Sequence, residues 1–259
     1  MTIQAKFSRF LVSGALLLAA PLARSQTFDV KGLDISKGSM ELGLDNSIAS
    51  STDVQHGGVR SWHDQSLDYG VFDWYRLSLV VKLENPDDDD VRFARTAIEN
   101  LFVLSPVPKA GGVGLGWFTA VELSIDPSTT NSSTFGPIIV IQDGKLSFTA
   151  NPLFETTFGR NRIDGIALNY GWNVKYQIKD KLAVGVEGFG LVENLGDSLP
   201  FNAQEHRVGP ALFTNVQLTD NLTITPDIGL LFGLTDATPD ITIKFNVGIP
   251  LAQLAPVRK

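Results

Sequence analysis

The feature that most constrains this chain is a two-residue alternation of apolar side chains with small or polar ones. Between Ile166 and Lys179, apolar and aromatic residues occupy every second position, and Ala, Asn, Gly, Gln and Lys fill the others. Successive residues of a strand point to opposite faces of the sheet, so this segment is predicted to be a strand with one apolar face. Segments 39–48, 76–84, 113–125, 221–234 and 239–251 repeat the design, which predicts an all-β chain.

The connectors between these segments alternate in length. Short polar turns are predicted at Asp143–Lys145, Lys179–Lys181 and Thr219–Asn221, and long loops at Ala49–Arg60, Asp126–Ser133 and Glu193–Gln204. Short turns on one rim and long loops on the other are typical of outer-membrane barrels, whose short turns face the periplasm. The sequence therefore predicts a closed antiparallel transmembrane β-barrel.

About twelve strands are predicted. They cover residues 39–48, 61–71, 76–84, 91–104, 113–125, 134–142, 145–157, 163–178, 181–192, 204–218, 221–234 and 239–251. Arg92–Asn100 could instead form a helical turn or two, and Ile138–Ile141 is uninterrupted apolar. Ten strands therefore remain the alternative count.

The first residues have the three parts of a secretory signal: Lys6 and Arg9, the apolar run Phe10–Ala20, and small residues before Gln26. The predicted organisation is a signal peptide at 1–25, an N-terminal periplasmic segment at 26–38, the barrel at 39–251 and a tail at 252–259. The expected location is the cell outer membrane, where the barrel-insertion machinery and outer-membrane lipid are the expected partners.

Composition excludes several classes of function. The formal charge is −7, so a nucleic-acid partner has no electrostatic support, and the absence of cysteine excludes disulfides and cysteine-ligated metals. The acidic run Asp87–Asp90 lacks the spaced ligands and glycine of an EF-hand loop and is interpreted as a solvated outer loop, with cation binding as the alternative. We expect no metal and no cofactor.

The second face of most strands is rich in Gly, Ala, Asn and Thr, which suits a confined polar lumen better than an open aqueous surface. Aromatic residues expected at the membrane interfaces are Tyr69, Trp74, Tyr75, Trp117, Trp172 and Tyr176. Charged residues expected to line the lumen are Glu41, Asp45, Arg76, Lys82, Glu84, Glu122, Glu155, Lys175, Glu187, Arg207, Asp227 and Lys244. These charges could form a structural salt-bridge network, or some could line a solute path.

Enzymatic activity is not predicted, because no nucleophile-elbow motif is present. Outer-membrane phospholipases and lipid A deacylases nevertheless carry Ser and His on barrel strands, and this chain has His56, His63 and His206. The observation that would favour a lipid hydrolase is His63 or His206 within hydrogen-bond reach of a serine on the lipid-facing wall.

Three segments in the last hundred residues, Tyr170–Tyr176, Gly209–Phe213 and Leu231–Asp240, carry a resemblance. They resemble poorly characterised proteobacterial outer-membrane proteins grouped with the transporters of the phenol-degradation meta-pathway. The resemblance implies a barrel and small apolar or aromatic solutes. One departure is that such barrels usually end on an aromatic residue, whereas Phe245 lies well inside this chain.

The function predicted from the sequence is a narrow pore or transporter for small solutes. A plugged structural or adhesive barrel that acts through its outer loops is the main alternative, and an outer-membrane lipid hydrolase is the third. Planar-bilayer conductance separates the first two.

Overall fold

The computed structural model describes residues 28–51, 58–85, 90–126, 129–220 and 222–251. The predicted signal peptide and tail, His56, and the acidic run up to Asp89 lie outside the described residues. Within the described ranges, no helix is long and apolar enough to cross a membrane.

Over the described residues the chain forms an all-β barrel, with a short 3-10 helix at Phe201–Ala203. Its strands are β1 (Met40–Ser51), β2 (Gly58–Phe72), β3 (Tyr75–Asn85), β4 (Arg92–Ser105), β5 (Gly112–Ser124), β6 (Asn131–Asp143), β7 (Leu146–Phe158), β8 (Ala167–Lys179), β9 (Leu182–Val192), β10 (Glu205–Thr214), β11 (Val216–Thr219), β12 (Leu222–Gly233) and β13 (Ile241–Pro250). The segments β10 and β11 are two parts of one barrel strand interrupted at Asn215, which gives a closed barrel of twelve strands.

The sheet closes where β1 meets β13. Each barrel strand pairs antiparallel with its neighbours in the chain, and β1 also pairs with β13 from Glu41 opposite Pro250 to Ser50 opposite Ile241. A closed sheet has no edge, so its backbone N–H and C=O groups are satisfied by the neighbouring strands. That property allows a sheet to cross hydrocarbon, where no water is present to bond an exposed strand.

The two faces of the sheet differ as the alternation predicts. Leu79, Ile98 and Val121 form one cross-strand row on the outside and are 53%, 52% and 45% exposed. The neighbouring residues Val80 and Ala97 are each 4% exposed and point inward. A continuous apolar wall in water would cost about 25 cal/mol per Å², so these rows belong against lipid.

The predicted fold class is confirmed, and the structure has twelve barrel strands rather than ten. The stretch Arg92–Asn100, which could have been helical, lies in β4. Strand β8 begins at Ala167, four residues later than predicted, and Gly165 just before it has a positive φ of 111°. The interruption at Asn215 was not predicted.

Leu79→Arg should destabilise the folded barrel by roughly 2–4 kcal/mol, because Leu79 lies in the middle of a lipid-facing strand. Leu218→Arg is the control, since Leu218 is exposed beside the turn at the end of its strand and should cost about 0–1 kcal/mol. Chemical unfolding in lipid vesicles measures both. Equal costs at the two positions would contradict the depth assignment.

Candidate lumen and its internal segment

Residues 28–35 lie inside the barrel, whereas the sequence analysis placed them in a periplasmic segment at 26–38. At the rim that carries the short turns, Lys37 N donates to Asp73 Oδ1 at 2.8 Å, and Gly38 N donates to Gly70 O at 2.6 Å. From this rim the chain, followed backwards, runs through the lumen to Phe28. The prediction failed because the segment is held by contacts with distant strands rather than by a local pattern. We call residues 28–35 the internal segment.

The far end of the internal segment is anchored by the ring of Phe28, which is 2% exposed. Trp62 and Phe189 contact this ring edge-on, with centroid distances of 6.3 and 5.3 Å. The Arg207 guanidinium carbon lies 4.3 Å from the Phe28 ring centroid, a distance typical of a cation–π contact. Rings from β2 and β9 and a cation from β10 therefore hold the same side chain.

The middle of the internal segment is held by hydrogen bonds. Lys31 N donates to Asn151 Oδ1 at 2.6 Å, and Asn151 Nδ2 donates back to Lys31 O at 3.0 Å. The Lys31 ammonium donates to Glu99 Oε2 at 2.9 Å, on the β4 side of the lumen. The carbonyl of Phe28 accepts from Lys244 Nζ at 3.1 Å. The segment's backbone is therefore bonded to side chains of the barrel wall.

Near the short-turn rim the internal segment packs through apolar side chains. A Cβ atom added at Gly114 or Gly116 would lie 2.9 or 2.5 Å from a Leu33 methyl carbon, so a larger residue at either position would require Leu33 to shift. Leu33 and Ile35 pack against a buried cluster of Leu101, Phe118, Ala120 and Ile138.

One enclosed ion-pair network lies beside the Phe28 carbonyl. Lys244 Nζ is 2.7 Å from Glu187 Oε2 and 2.9 Å from Asp227 Oδ1. The side chains of Lys244 and Glu187 are each 1% exposed, so the pair is removed from bulk solvent. Asn173 pairs with Glu187 across β8 and β9, in the register that the Lys179–Lys181 turn predicts. An enclosed charge requires such partners, because an unpaired one is costly.

A second network lies on the opposite side of the lumen. Lys82 Nζ is 2.7 Å from Glu122 Oε1 and 3.2 Å from Asp64 Oδ2. Asp64 and its neighbour Asp68 were not predicted, because the outward residues of β2 include Ser61 and His63 and neither face of that strand is apolar in sequence. These residues could have been predicted from a local alternation, in which Asp64, Ser66 and Asp68 alternate with Leu67 and Tyr69.

The other predicted lumen residues are spread around the wall. Glu41, Asp45 and Arg76 line a cavity of about 190 Å³. Glu155 accepts from Asn169 Nδ2 at 2.7 Å, Lys175 Nζ lies 3.9 Å from the Phe213 ring centroid, Glu84 Oε1 lies 3.5 Å from Arg92 Nη2, and Arg207 Nη2 lies 2.6 Å from Glu205 Oε2. The predicted charges therefore divide between several pairs and two cavities rather than forming a single network.

Two cavities lie beside the internal segment. The larger, about 190 Å³, is lined by residues of β1 to β4, β12 and β13, and the smaller, about 120 Å³, by residues of β3 to β9. Asp29, Lys31 and Glu99 line both cavities. Each cavity has room for several water molecules at about 30 Å³ per molecule. The internal segment therefore narrows the lumen without filling it.

The predicted interface aromatics fall into two groups. Tyr69, Trp74, Tyr75 and Tyr176 lie at the short-turn end, where the Tyr75 ring stacks on Phe102 at a centroid distance of 5.0 Å. Trp117 and Trp172 lie near the middle of the 13-residue strands β5 and β8, where contact with lipid headgroups is not expected. Interfacial anchoring is therefore retained as a proposal for the first group alone.

Comparison with known proteins supports the barrel fold. No protein-family model matches the chain, and neither does any curated protein. Among solved structures, the chain is similar to an outer-membrane channel from Pseudomonas putida F1, with a TM-score of 0.57, 10% identity, and coverage of 86% of this chain and 99% of that chain. It is also similar to the NanC porin, with a TM-score of 0.53, 10% identity, and coverage of 81% and 98%.

At this identity the similarity shows the fold. Together with the closed sheet and its apolar outer wall, it places the protein in the cell outer membrane.

Lys244→Met should destabilise the barrel by roughly 3–5 kcal/mol, because it leaves the Glu187 and Asp227 carboxylates without their shared cation. Lys181→Met is the control, since the Lys181 ammonium is exposed and donates to the Gln217 side chain, and its loss should cost less than about 1 kcal/mol. Chemical unfolding measures both. The prediction fails if the two variants unfold at the same denaturant concentration.

Proposed function

We propose that the protein is a narrow outer-membrane pore for small solutes that favours cations, and that the internal segment sets its width. The observation that carries this proposal is the pair of cavities that flank the internal segment inside a closed barrel. Similarity to outer-membrane channels supports a pore at the level of the fold. The residues that line the larger cavity indicate which solutes the pore prefers.

The larger cavity is predominantly acidic. It is lined by the basic residues Lys31 and Arg76 and by the carboxylates of Asp29, Glu41, Asp45, Asp64, Asp68, Glu99 and Asp227. Rings of carboxylates in a confined pore attract cations and repel anions. The apolar or aromatic solutes implied by the meta-pathway resemblance find little support in this lining, so small hydrophilic cations are the proposed solutes.

A plugged barrel is the second candidate, favoured by the anchoring of the internal segment at both ends and in the middle. Phe28 is held by rings, Lys31 by Asn151 and Glu99, and Leu33 by the apolar cluster. In that case the lumen would carry no current and the outer loops would supply the function. If folded protein carries no current in planar bilayers, this candidate is favoured over the pore.

In planar bilayers under a salt gradient, the sign of the reversal potential should show that cations cross the pore more readily than anions. Glu41→Gln with Asp68→Asn should move that potential towards zero, because both carboxylates line the larger cavity. Asp197→Asn is the control for the loss of one carboxylate, since Asp197 is exposed in a loop outside the strands. A potential that is unchanged by the lumen substitutions, or anion-selective from the start, would contradict the proposal.

Phe28→Ala with Lys31→Ala should raise the single-channel conductance severalfold, because the double change removes the ring anchor and the ion pair of the internal segment. Phe201→Ala with Lys109→Ala removes a ring and an ammonium from exposed positions outside the lumen and should leave conductance unchanged. If both double variants conduct like the parent, the internal segment does not set the width of the pore.

A further inference from the structure

Three polar side chains lie together on the outward face of β1 and β2. Asn46 pairs with His63 across the two strands, and Ser61 lies two residues from His63 on the same face. Ser61 itself is 8% exposed, and its surroundings are apolar: Ile48, which pairs with Ser61, is 51% exposed, and Phe245, which pairs with Asn46, is 45% exposed. Polar groups on a lipid-facing wall are costly unless they are bonded to one another, so this cluster needs an explanation.

The hydrogen bonds of the cluster fix its donors and acceptors. Asn46 Nδ2 donates to Leu44 O at 3.2 Å and to Phe245 O at 3.3 Å, which leaves Asn46 Oδ1 as the acceptor. This oxygen lies 2.8 Å from His63 Nδ1, so Nδ1 carries the proton. His63 Nε2 is then the unprotonated nitrogen, and it lies 3.2 Å from Ser61 Oγ. The serine hydroxyl therefore donates to an imidazole that is oriented by an amide.

This is the arrangement of an activated serine: a nucleophile bonded to a base, and a base held by a third group. His63 thus meets the criterion that the sequence analysis set for a hydrolase. His206 does not, since its Nδ1 lies 2.7 Å from Tyr170 Oη and its Nε2 lies 3.1 Å from Gln204 Oε1. We propose that Ser61, His63 and Asn46 form a Ser–His–Asn triad that hydrolyses acyl esters of lipids in the outer leaflet.

The reaction uses water as its co-reactant. Ser61 Oγ attacks the ester carbonyl carbon while His63 Nε2 takes the hydroxyl proton, and collapse of the tetrahedral intermediate breaks the bond to the alcohol oxygen. His63 returns the proton to the departing alcohol, which leaves an acyl-serine. Water then attacks the acyl-serine, with His63 again as the base, to release a fatty acid and restore Ser61.

The position of Ser61 fits an ester at the boundary between headgroups and hydrocarbon. Ser61 lies three residues from Gly58, the end of β2 at the long-loop rim, which corresponds to roughly 10 Å along the strand. Long loops of outer-membrane barrels face the cell exterior, so the triad lies on the side of the outer leaflet. The lumen is on the opposite face of the sheet, so this activity and the proposed pore use separate surfaces.

The test uses the full-length protein folded in detergent and treated with a fluorophosphonate, which labels activated serines covalently. Mass spectrometry should find the label on Ser61. Ser61→Ala should abolish labelling, His63→Gln should slow it at least about 100-fold, and Asn46→Ala should slow it to a smaller extent. Ser105→Ala is the control, since Ser105 is an exposed serine at the end of β4 and lines neither cavity.

Vesicles that contain phospholipid, with or without lipopolysaccharide, identify the source of the ester. Release of fatty acid that requires Ser61 in phospholipid vesicles assigns phospholipid as the substrate, and release only with lipopolysaccharide assigns its acyl chains. The proposal is overturned if folded protein, verified by its β-sheet circular dichroism, takes no label at Ser61 and releases no fatty acid from either vesicle. Channel recordings on the same sample are independent of this result.

Discussion

Hydrocarbon offers no hydrogen bonds, and the rest of this structure depends on that constraint. A sheet can cross a bilayer only if its last strand pairs with its first, which β13 and β1 do along their length. Closure has a further consequence, because it creates an interior that must be filled or hydrated. The alternation of side chains then assigns the rows of Leu79 and Ile98 to lipid and the charged residues to that interior.

The interior is organised around ion pairs and the internal segment together. Lys244 neutralises Glu187 and Asp227 and also donates to the Phe28 carbonyl, so one ammonium joins the wall to the segment. The Lys31 ammonium also joins the segment to the wall, through its ion pair with Glu99. Enclosed charges seldom add stability relative to apolar packing, but they are costly to leave unpaired, so each network restricts how the segment can lie. The remaining space is predominantly carboxylate-lined, which is why we infer a cation preference.

The sequence predicted the barrel because alternation along strands such as β8 and β12 is a local property. It could not predict the internal segment in the same way, since Leu33 fits against Gly114 and Gly116 some eighty residues away and leaves no periodic trace. The candidate sites show the same contrast. Alternation alone assigns Lys244 and Glu187 to the lumen. It does not bring Ser61, His63 and Asn46 together, because their contact depends on how two strands pair.

The most direct test of the account is which face of the sheet meets hydrocarbon. The chain has no cysteine, so single cysteines can be placed at each position from 77 to 84 in β3 and spin-labelled in protein reconstituted into vesicles. The account predicts that labels at odd positions, such as Leu79 and Val81, collide with lipid-dissolved oxygen, whereas labels at even positions do not. Oxygen collisions that are higher at even positions, or that do not alternate along the strand, would contradict it.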